Sequence, residues 1–277
     1  MKLDSRTLPR SAPAWAAVAV AAVVAACATT TSPTGRRQYV GAVSQAQLDQ
    51  LGAQAFAEAK AKQKLSTDAR QNAYVRCVAD AITRQLPAGW QRTWEVAVFA
   101  DPSANAFALP GGKIGVNTGI FTVAKTQDQL AAVIAHEVGH VVSRHHDERI
   151  TRQQGASTLL GLGSALLGSA YGSTAGDAAG QLGGVAAQTL FLLPNSRQQE
   201  SEADVVGQQL AAQAGFDPRQ AVNLWQNMIA AGGSRPPQWL STHPDPQARL
   251  QELGARAGSL MPTYEQARAA GRTPKCG

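Results

Sequence analysis

Cysteine, aromatic residues and charge are all scarce in this chain. Its 277 residues include three cysteines and 5% aromatic residues, 16% are charged, and the formal net charge is +6. Three cysteines are too few for a small scaffold held together by disulfides. The small charge, with no cluster of basic residues interleaved with aromatic side chains, argues against nucleic-acid binding. The composition, with 44% hydrophobic residues, instead indicates one or two globular domains.

No apolar stretch is long enough to cross a bilayer as a helix, which takes about 20 residues. Residues 14–26 are apolar but too short, and the basic residues Lys2, Arg6 and Arg10 precede them. A basic start followed by a short apolar segment is typical of an export signal. The sequence therefore predicts a signal peptide over residues 1–26.

The residues Val24-Ala25-Ala26-Cys27 that close this segment resemble the bacterial lipobox. That resemblance implies cleavage before Cys27 and attachment of the mature chain to a membrane by acyl chains such as palmitate. The alternative is an ordinary secretory signal that contains a cysteine. Ala28 stands where an aspartate is associated with inner-membrane retention, which favours the periplasmic face of the outer membrane.

Two further segments lack the patterns of a packed core. Residues 27–43 are rich in threonine, serine, proline and glycine, so they are predicted to form a flexible tether. Residues 155–194 are nearly uncharged, but glycines interrupt every apolar run. We interpret this second segment as one or two small-residue helices with a mobile loop over an active-site cleft. A membrane-inserting hairpin is the alternative.

Cys77 and Cys276 remain once Cys27 is assigned to a lipid anchor. Export would place this even pair in an oxidising compartment, where a disulfide could join an early helix to the C-terminal end. The sequence leaves open whether their Cα atoms come within the distance that a disulfide requires.

Hydrophobic periodicity, capping residues and turn residues predict the order of secondary structure. Helices are expected from Ser44 to about Gln63, from Thr67 or Asp68 to before Pro87, and over 118–124, 127–150, 195–213, 217–231 and 245–257. Strands are expected over 94–100 and, joined by a Pro-Gly-Gly turn, within 105–117. The long helix should begin with a capping box formed by Thr126 and Gln129.

The long helix carries His136-Glu137-Val138-Gly139-His140, an HExxH pattern. Residues four apart share one face of a helix, so His136 and His140 can offer their imidazoles to one metal ion. Neutral imidazoles leave the charge of zinc uncancelled, so a water at an open position becomes acidic and Glu137 can take its proton. We expect His145 and His146, outside this spacing, to be solvated.

Catalytic zinc usually has three protein ligands, so a third must come from elsewhere. Glu200 and Asp204 lie four residues apart at the start of a predicted helix, while Glu202 points elsewhere. One of the two can bind the metal while the other hydrogen-bonds a ligand imidazole. Acidic residues also favour helix starts because of the helix dipole, so spacing alone does not identify a ligand.

Several motifs together resemble the M48 family of zinc metallopeptidases. NAFALPGGKIGVNTGIF precedes HEVGH, and SRQQESEAD and STHPDPQAR follow it, so the resemblance covers about residues 45–256. It implies an α+β, mainly helical zincin fold of the gluzincin type, with three or four short strands beside the HExxH helix. The peptidase domain is then expected over residues 44–260 and a C-terminal tail over 261–277.

The resemblance also implies the roles of the motif residues. His136, His140 and Glu200 would bind one Zn²⁺ ion, and Glu137 would be the general base. Asp204 would orient a zinc-binding histidine through a hydrogen bond.

The resemblance also gives roles to a loop histidine and to a strand, and two arginines are separate candidates to support the site. His243 matches a loop histidine that either stabilises the oxyanion or occupies the open zinc position in a latent form, and Arg249 would support the site through charge-assisted bonds. Arg197 is a weaker candidate for such support. An extended substrate would pair with the edge of the strand formed by Lys113, Ile114, Gly115, Val116 and Asn117. Spacing alone favours an ordinary hairpin strand there.

Within the family the likeness is to periplasmic, lipid-anchored members involved in outer-membrane protein quality control. It implies a zinc endopeptidase of the bacterial envelope that degrades misfolded or unassembled envelope proteins. Its partners would be those substrates and the membrane that holds its lipid anchor, and no nucleic acid. The alternative is an assembly or chaperone-like factor with latent proteolysis. A purely structural zinc protein fits poorly, because structural sites are usually closed by four ligands, often cysteines.

Overall fold

The structure, a computed structural model, describes residues 29–154, 195–232, 243 and 246–277. The predicted signal peptide over 1–26, the lipidation candidate Cys27 and the segment 155–194 lie outside the described residues. No helix in the described ranges is both long and apolar enough to cross a membrane.

Helices make up most of the described chain, and a small sheet lies beside them, as the α+β zincin prediction requires. The helices are α1 (Gln45–Lys62), α2 (Ala69–Thr83), α3 (Gln127–Val142), α4 (Arg197–Gln213), α5 (Gln220–Gly232), α6 (Pro246–Ala257) and α7 (Met261–Ala269). Residues 145–154 are also helical. The strands are β1 (Thr29–Thr31), β2 (Arg37–Tyr39), β3 (Glu95–Phe99), β4 (Ala106–Leu109) and β5 (Lys113–Asn117), and short 3-10 turns cover Ala88–Trp90, Thr118–Thr122 and Gly258–Leu260.

The predicted helix starts agree with the observed caps. Ser44 and Ser196 each form a capping box with the glutamine three residues later, and Asp68 accepts from the first-turn amides of α2. Thr126 accepts from the Gln129 amide at the start of α3, but the Gln129 side chain bonds the amide of Lys125 instead of Thr126. The predicted capping box is therefore half formed.

The order of the main sheet is β3-β5-β4, with β3 parallel and β4 antiparallel to β5. The expectation that Lys113, Ile114, Gly115, Val116 and Asn117 form an edge open to substrate is wrong. These residues form the central strand, so their backbone groups are shared between two neighbouring strands and leave no edge for a peptide. The tight turn between β4 and β5 uses Gly111 and Gly112 at φ of 78° and 70°, which other residues rarely adopt.

Helices α3 and α4 cross closely at the centre of the molecule. An added Cβ at Gly139 would lie 2.9 Å from the carbonyl oxygen of Ala203, and one at Gly207 would lie 2.7 Å from the backbone nitrogen of His136. These glycines let the two backbones approach further than side chains would allow. Leu130, Ile134 and other fully buried residues of α3 complete the core around this crossing.

The predicted helix from 127 to about Ile150 is broken. Helix α3 ends at Val142, Arg144 adopts the left-handed φ of 55°, and the chain becomes helical again at His145. The Ser143 carbonyl, freed from the helical ladder, accepts a hydrogen bond from Gln38 at 2.6 Å, and Arg144 pairs with Asp147. One side chain from a distant part of the chain and one local ion pair thus stabilise the break, and periodicity reveals neither.

The prediction of a flexible tether is wrong for the described part of residues 27–43. Strands β1 and β2 form a hairpin, and Gln38 and Val40 are buried. The Arg36 guanidinium makes ion pairs with Glu148 and Glu202 of the helical core. A threonine- and glycine-rich composition did not reveal these contacts because they are made by a few individual side chains.

The C-terminal residues 261–277 pack on the helical core, so the boundary expected at residue 260 marks no structural division. Gln127, the first residue of α3, donates to the Pro274 carbonyl and accepts from the Cys276 amide. Cys276 forms a disulfide with Cys77 of α2, with their Cα atoms 5.5 Å apart.

Replacing both Cys77 and Cys276 by serine should lower the free energy of unfolding by about 2–5 kcal/mol, because the disulfide closes a long loop in the unfolded chain. Urea unfolding of the full chain measures this. Reduction should lower the stability of the parent to that of the variant and leave the variant unchanged. Equal urea midpoints for oxidised parent and variant would contradict the stabilising role.

Candidate metal centre

The crossing of α3 and α4 brings His136, His140 and Glu200 together. The two Nε2 atoms of the histidines are 3.0 Å apart. His136 Nε2 lies 3.4 Å from Glu200 Oε2, and His140 Nε2 lies 3.4 Å from Glu200 Oε1. All three side chains are buried. The structure thus collects on one spot the residues whose spacing and family resemblance predicted zinc ligands.

His243 adds a fourth donor to this cluster. Its Nδ1 lies 3.2 Å from His136 Nε2 and 2.8 Å from Glu200 Oε2. Its Nε2 lies 3.3 Å from Glu137 Oε1, so the same ring contacts the predicted general base. One donor atom from each of His136, His140, Glu200 and His243 lies within 4.8 Å of all the others.

The donor set fits a zinc ion. Glu200 Oε1 is buried and has no hydrogen-bond partner among the described residues. A buried carboxylate oxygen in that position is costly unless something positive binds it. Three imidazoles and one carboxylate are ligands that zinc prefers, and a shared ion would explain why Glu200 Oε1 lies toward His140 Nε2 and Glu200 Oε2 toward His136 Nε2.

Asp204 of α4 and Arg249 of α6 contact the predicted ligands from outside the donor cluster. Asp204 Oδ1 lies 2.9 Å from His136 Nδ1, the nitrogen that faces away from the cluster. Arg249 donates to both oxygens of Asp204 at 2.7 Å and to Glu200 Oε2 at 2.6 Å, with its guanidinium over the Trp225 ring. Both residues therefore lie where the sequence placed them, in contact with predicted ligands.

His145 and His146 are buried, so the expectation that both are solvated is wrong. The break at Arg144 turns His145 back toward α3, and its Nδ1 lies 2.8 Å from His140 Nδ1. Its Nε2 lies 3.1 Å from Glu202 Oε2. Nothing in helical spacing indicates this contact, because a residue five positions on would lie on a different face of an unbroken helix.

The charges of the site are strongly coupled. Burial and the Arg249 charge favour neutral His136, but the Asp204 and Glu200 carboxylates outweigh them and raise the pKa of His136 to about 9. Burial holds the pKa of His140 well below its ordinary value despite the opposing carboxylate of Glu200. Burial alone would raise the pKa of Glu200, but the surrounding histidines, His243 first, lower it well below the ordinary value. Glu200 is therefore ionised, as a metal ligand must be.

Comparison with known proteins identifies the class. The sequence pattern of Peptidase family M48 matches residues 69–257. The chain belongs to this family, and its described residues include a histidine and glutamate cluster suited to one zinc ion.

The relatives include both a mitochondrial and a bacterial protein. The chain is 41% identical over 162 residues to the mitochondrial metalloendopeptidase OMA1 of Schizosaccharomyces pombe, covering 58% of this chain and 45% of that protein. It is 35% identical over 167 residues to the Beta-barrel assembly-enhancing protease of Escherichia coli, covering 58% of this chain and 34% of that protein. The chain thus spans less than half the length of these relatives.

The closeness of the α3–α4 crossing can be tested at Gly207. In Gly207→Ala the new Cβ would overlap the α3 backbone at His136, so we expect a loss of about 1–3 kcal/mol in the free energy of unfolding and weaker zinc binding. Urea unfolding and competition with a chelator measure the two effects.

Gly254→Ala is the matched control for this substitution. Gly254 also lies in a helix, but its added Cβ would meet nothing closer than Val222 Cγ2 at 4.0 Å. Helix propensity alone should stabilise this control by up to about 1 kcal/mol. Equal free energies of unfolding and equal zinc affinities for the two variants would contradict a close crossing at Gly207.

Proposed function

We propose that this protein is a zinc-dependent endopeptidase of the bacterial envelope that degrades misfolded or unassembled envelope proteins. The convergence of His136, His140 and Glu200, with Glu137 beside them, carries the proposal. The predicted export signal and the lipidation candidate Cys27 support the location. Similarity to a Beta-barrel assembly-enhancing protease supports the class of substrate.

The proposed ligands are His136, His140 and Glu200. Zinc held there would supply the Lewis acidity that activates water and polarises a peptide carbonyl. Asp204 fixes the His136 ring by accepting from Nδ1, so that Nε2 faces the cluster. Arg249 keeps the Asp204 carboxylate in place and limits the rotation of Glu200.

Glu137 is the proposed general base. It is buried on the ligand-bearing turn of α3, and its Oε1 lies 3.3 Å from His243 Nε2, at the edge of the donor cluster. The carboxylate takes a proton from the attacking water and then gives it to the amine that leaves. One residue would thus serve both halves of the reaction, because the same carboxylate accepts the proton of the water and donates it to the leaving amine.

His243 is the proposed gate of the site. Its Nδ1 lies among the donor atoms and its Nε2 faces Glu137, so the ring fills the space that a reacting peptide would need. This geometry favours the latent form over oxyanion stabilisation. It also supports the second candidate function, an envelope assembly factor whose proteolysis is held latent until His243 moves.

The substrate peptide is proposed to pair with β4. This strand bonds β5 along one edge, no described strand pairs with its other edge, and it packs beside α3. An extended peptide added there would gain backbone hydrogen bonds and run close to the HExxH helix. Backbone pairing suits a protease for unfolded proteins, because it reads no particular side-chain sequence.

Glu137→Gln should abolish cleavage of an unfolded protein such as casein, because the amide cannot accept the proton, while zinc content stays at the parent level. Casein cleavage and elemental analysis of the full chain measure both. Glu265→Gln, an exposed position of α7, is the matched control and should retain full activity. Cleavage retained by Glu137→Gln would rule out its role as the base.

His243→Ala should raise casein cleavage if His243 is a gate. Removing a closed state that outweighs the open state by about ten to one raises activity about tenfold. Zinc content, measured on the same samples, should remain near one ion per chain because three ligands are left. A loss of cleavage with zinc retained would show instead that His243 takes part in catalysis.

A further inference from the structure

We propose that His145, Glu202 and Arg36 are positioning residues for His140, and that residues 29–42 thereby form part of the metal site. The proposal rests on the proposed role of His140 as a zinc ligand. It assigns to the N-terminal hairpin a function in metal binding that neither the motif nor the family match contains.

The first contact fixes the ring of His140. Its Nε2 faces the donor cluster, while its Nδ1 lies 2.8 Å from His145 Nδ1. A neutral histidine that binds metal through Nε2 carries its proton on Nδ1. His140 therefore donates to His145, and His145 carries its own proton on Nε2. This bond prevents rotation of the His140 ring away from the cluster.

The second contact fixes His145. Its Nε2 donates to Glu202 Oε2 at 3.1 Å, and Thr34 donates to the other carboxylate oxygen of Glu202 at 2.7 Å. His145 is fully buried and Glu202 nearly so. Both hydrogen bonds are donated in the direction from His140 to Glu202. His140 Nδ1 and His145 Nε2 therefore each carry a proton, and His145 Nδ1 accepts one hydrogen bond.

The third contact ties the path to the N-terminal hairpin. Arg36 Nε donates to Glu202 Oε2 at 2.9 Å, and its two Nη atoms donate to the two oxygens of Glu148 at 2.8 Å. Glu148 belongs to the helical segment that carries His145, and Glu202 belongs to α4. One guanidinium thus holds together the two elements that position His145, with a three-point geometry that lysine cannot reproduce.

The two histidines of the HExxH motif are therefore supported in parallel ways. His136 Nδ1 meets a carboxylate that Arg249 holds, and His140 Nδ1 meets, through His145, a carboxylate that Arg36 holds. A network that served stability alone would not need to end on the outward nitrogen of a ligand imidazole. The contacts of His140 with His145, Glu202 and Arg36 resemble those of His136 with Asp204 and Arg249, and this similarity favours a role in metal binding.

The position of Arg36 in the chain makes this support distinctive. The family match begins at residue 69, so Arg249 lies inside it and Arg36 lies before it. The support of His136 therefore comes from within the matched region, whereas the support of His140 requires a segment outside it.

The test is the zinc dissociation constant of the full chain, measured with zinc alone against a chromophoric chelator. His145→Ala should raise this constant about 10–100-fold, and Arg36→Ala about tenfold, the range for residues that orient a metal ligand. The double variant should bind no more weakly than His145→Ala, because Arg36 acts through His145. Arg36→Lys should fall between Arg36→Ala and the parent.

Two controls separate positioning from folding. Arg37→Ala removes the same residue type from the exposed neighbouring position of β2 and should bind zinc like the parent. Glu202→Gln keeps the volume of the side chain and should weaken zinc binding. It therefore tests the inference even if His145→Ala fails to fold. Circular dichroism of each variant shows whether the fold is retained.

If folded variants of Arg36, His145 and Glu202 bind zinc with a dissociation constant within twofold of the parent, this inference is overturned and the proposed function is not. Effects of Arg36→Ala and His145→Ala that multiply in the double variant would also overturn it, because the two residues would then act independently. A parent chain that binds no zinc would overturn the proposed function together with this inference.

Discussion

The close crossing of α3 and α4 is the constraint on which the site depends. His136 and His140 share one face of α3, but a third ligand can reach them only if the neighbouring helix comes near enough. Gly139 and Gly207 remove the side chains that would keep the helices apart. The start of α4 then lies over the HExxH motif, where Glu200 meets both imidazoles.

Bringing these groups together buries several charges, and their arrangement keeps the cost of burial low. Isolated buried carboxylates would be strongly destabilising, but Asp204, Glu202 and Glu148 each accept from an arginine. Glu200 differs because one of its oxygens lacks a partner among the described residues. Asp204, Glu202 and Glu148 thus have charged partners, whereas the hydrogen bonding of Glu200 is incomplete at the point where zinc is expected.

Local signals predicted the elements that carry the ligands. The HExxH spacing placed His136 and His140 on one helix face, and the spacing of Glu200 and Asp204 placed both acidic groups at the start of a second helix. Each of these patterns is contained in one helix. Choosing Glu200 over Asp204 as the ligand needed the family resemblance, because spacing leaves the two alternatives equal.

Contacts between distant segments escaped prediction. The order of the three strands depends on which edges pair, and nothing within Lys113–Asn117 reveals that it is central. The break at Arg144 depends on Gln38, more than a hundred residues away, and on a left-handed residue that is not glycine. The role of Arg36 depends on two helices that come together only after folding.

The most direct test of the account is the zinc content of the purified full chain. Elemental analysis should find about one zinc ion per chain in the parent and in His243→Ala, and almost none when Glu200→Ala is added to His243→Ala, since only the two histidines of α3 then remain as donors. A parent without zinc, or a double variant that retains a full equivalent, would contradict the central claim that α3 and α4 together build the metal centre.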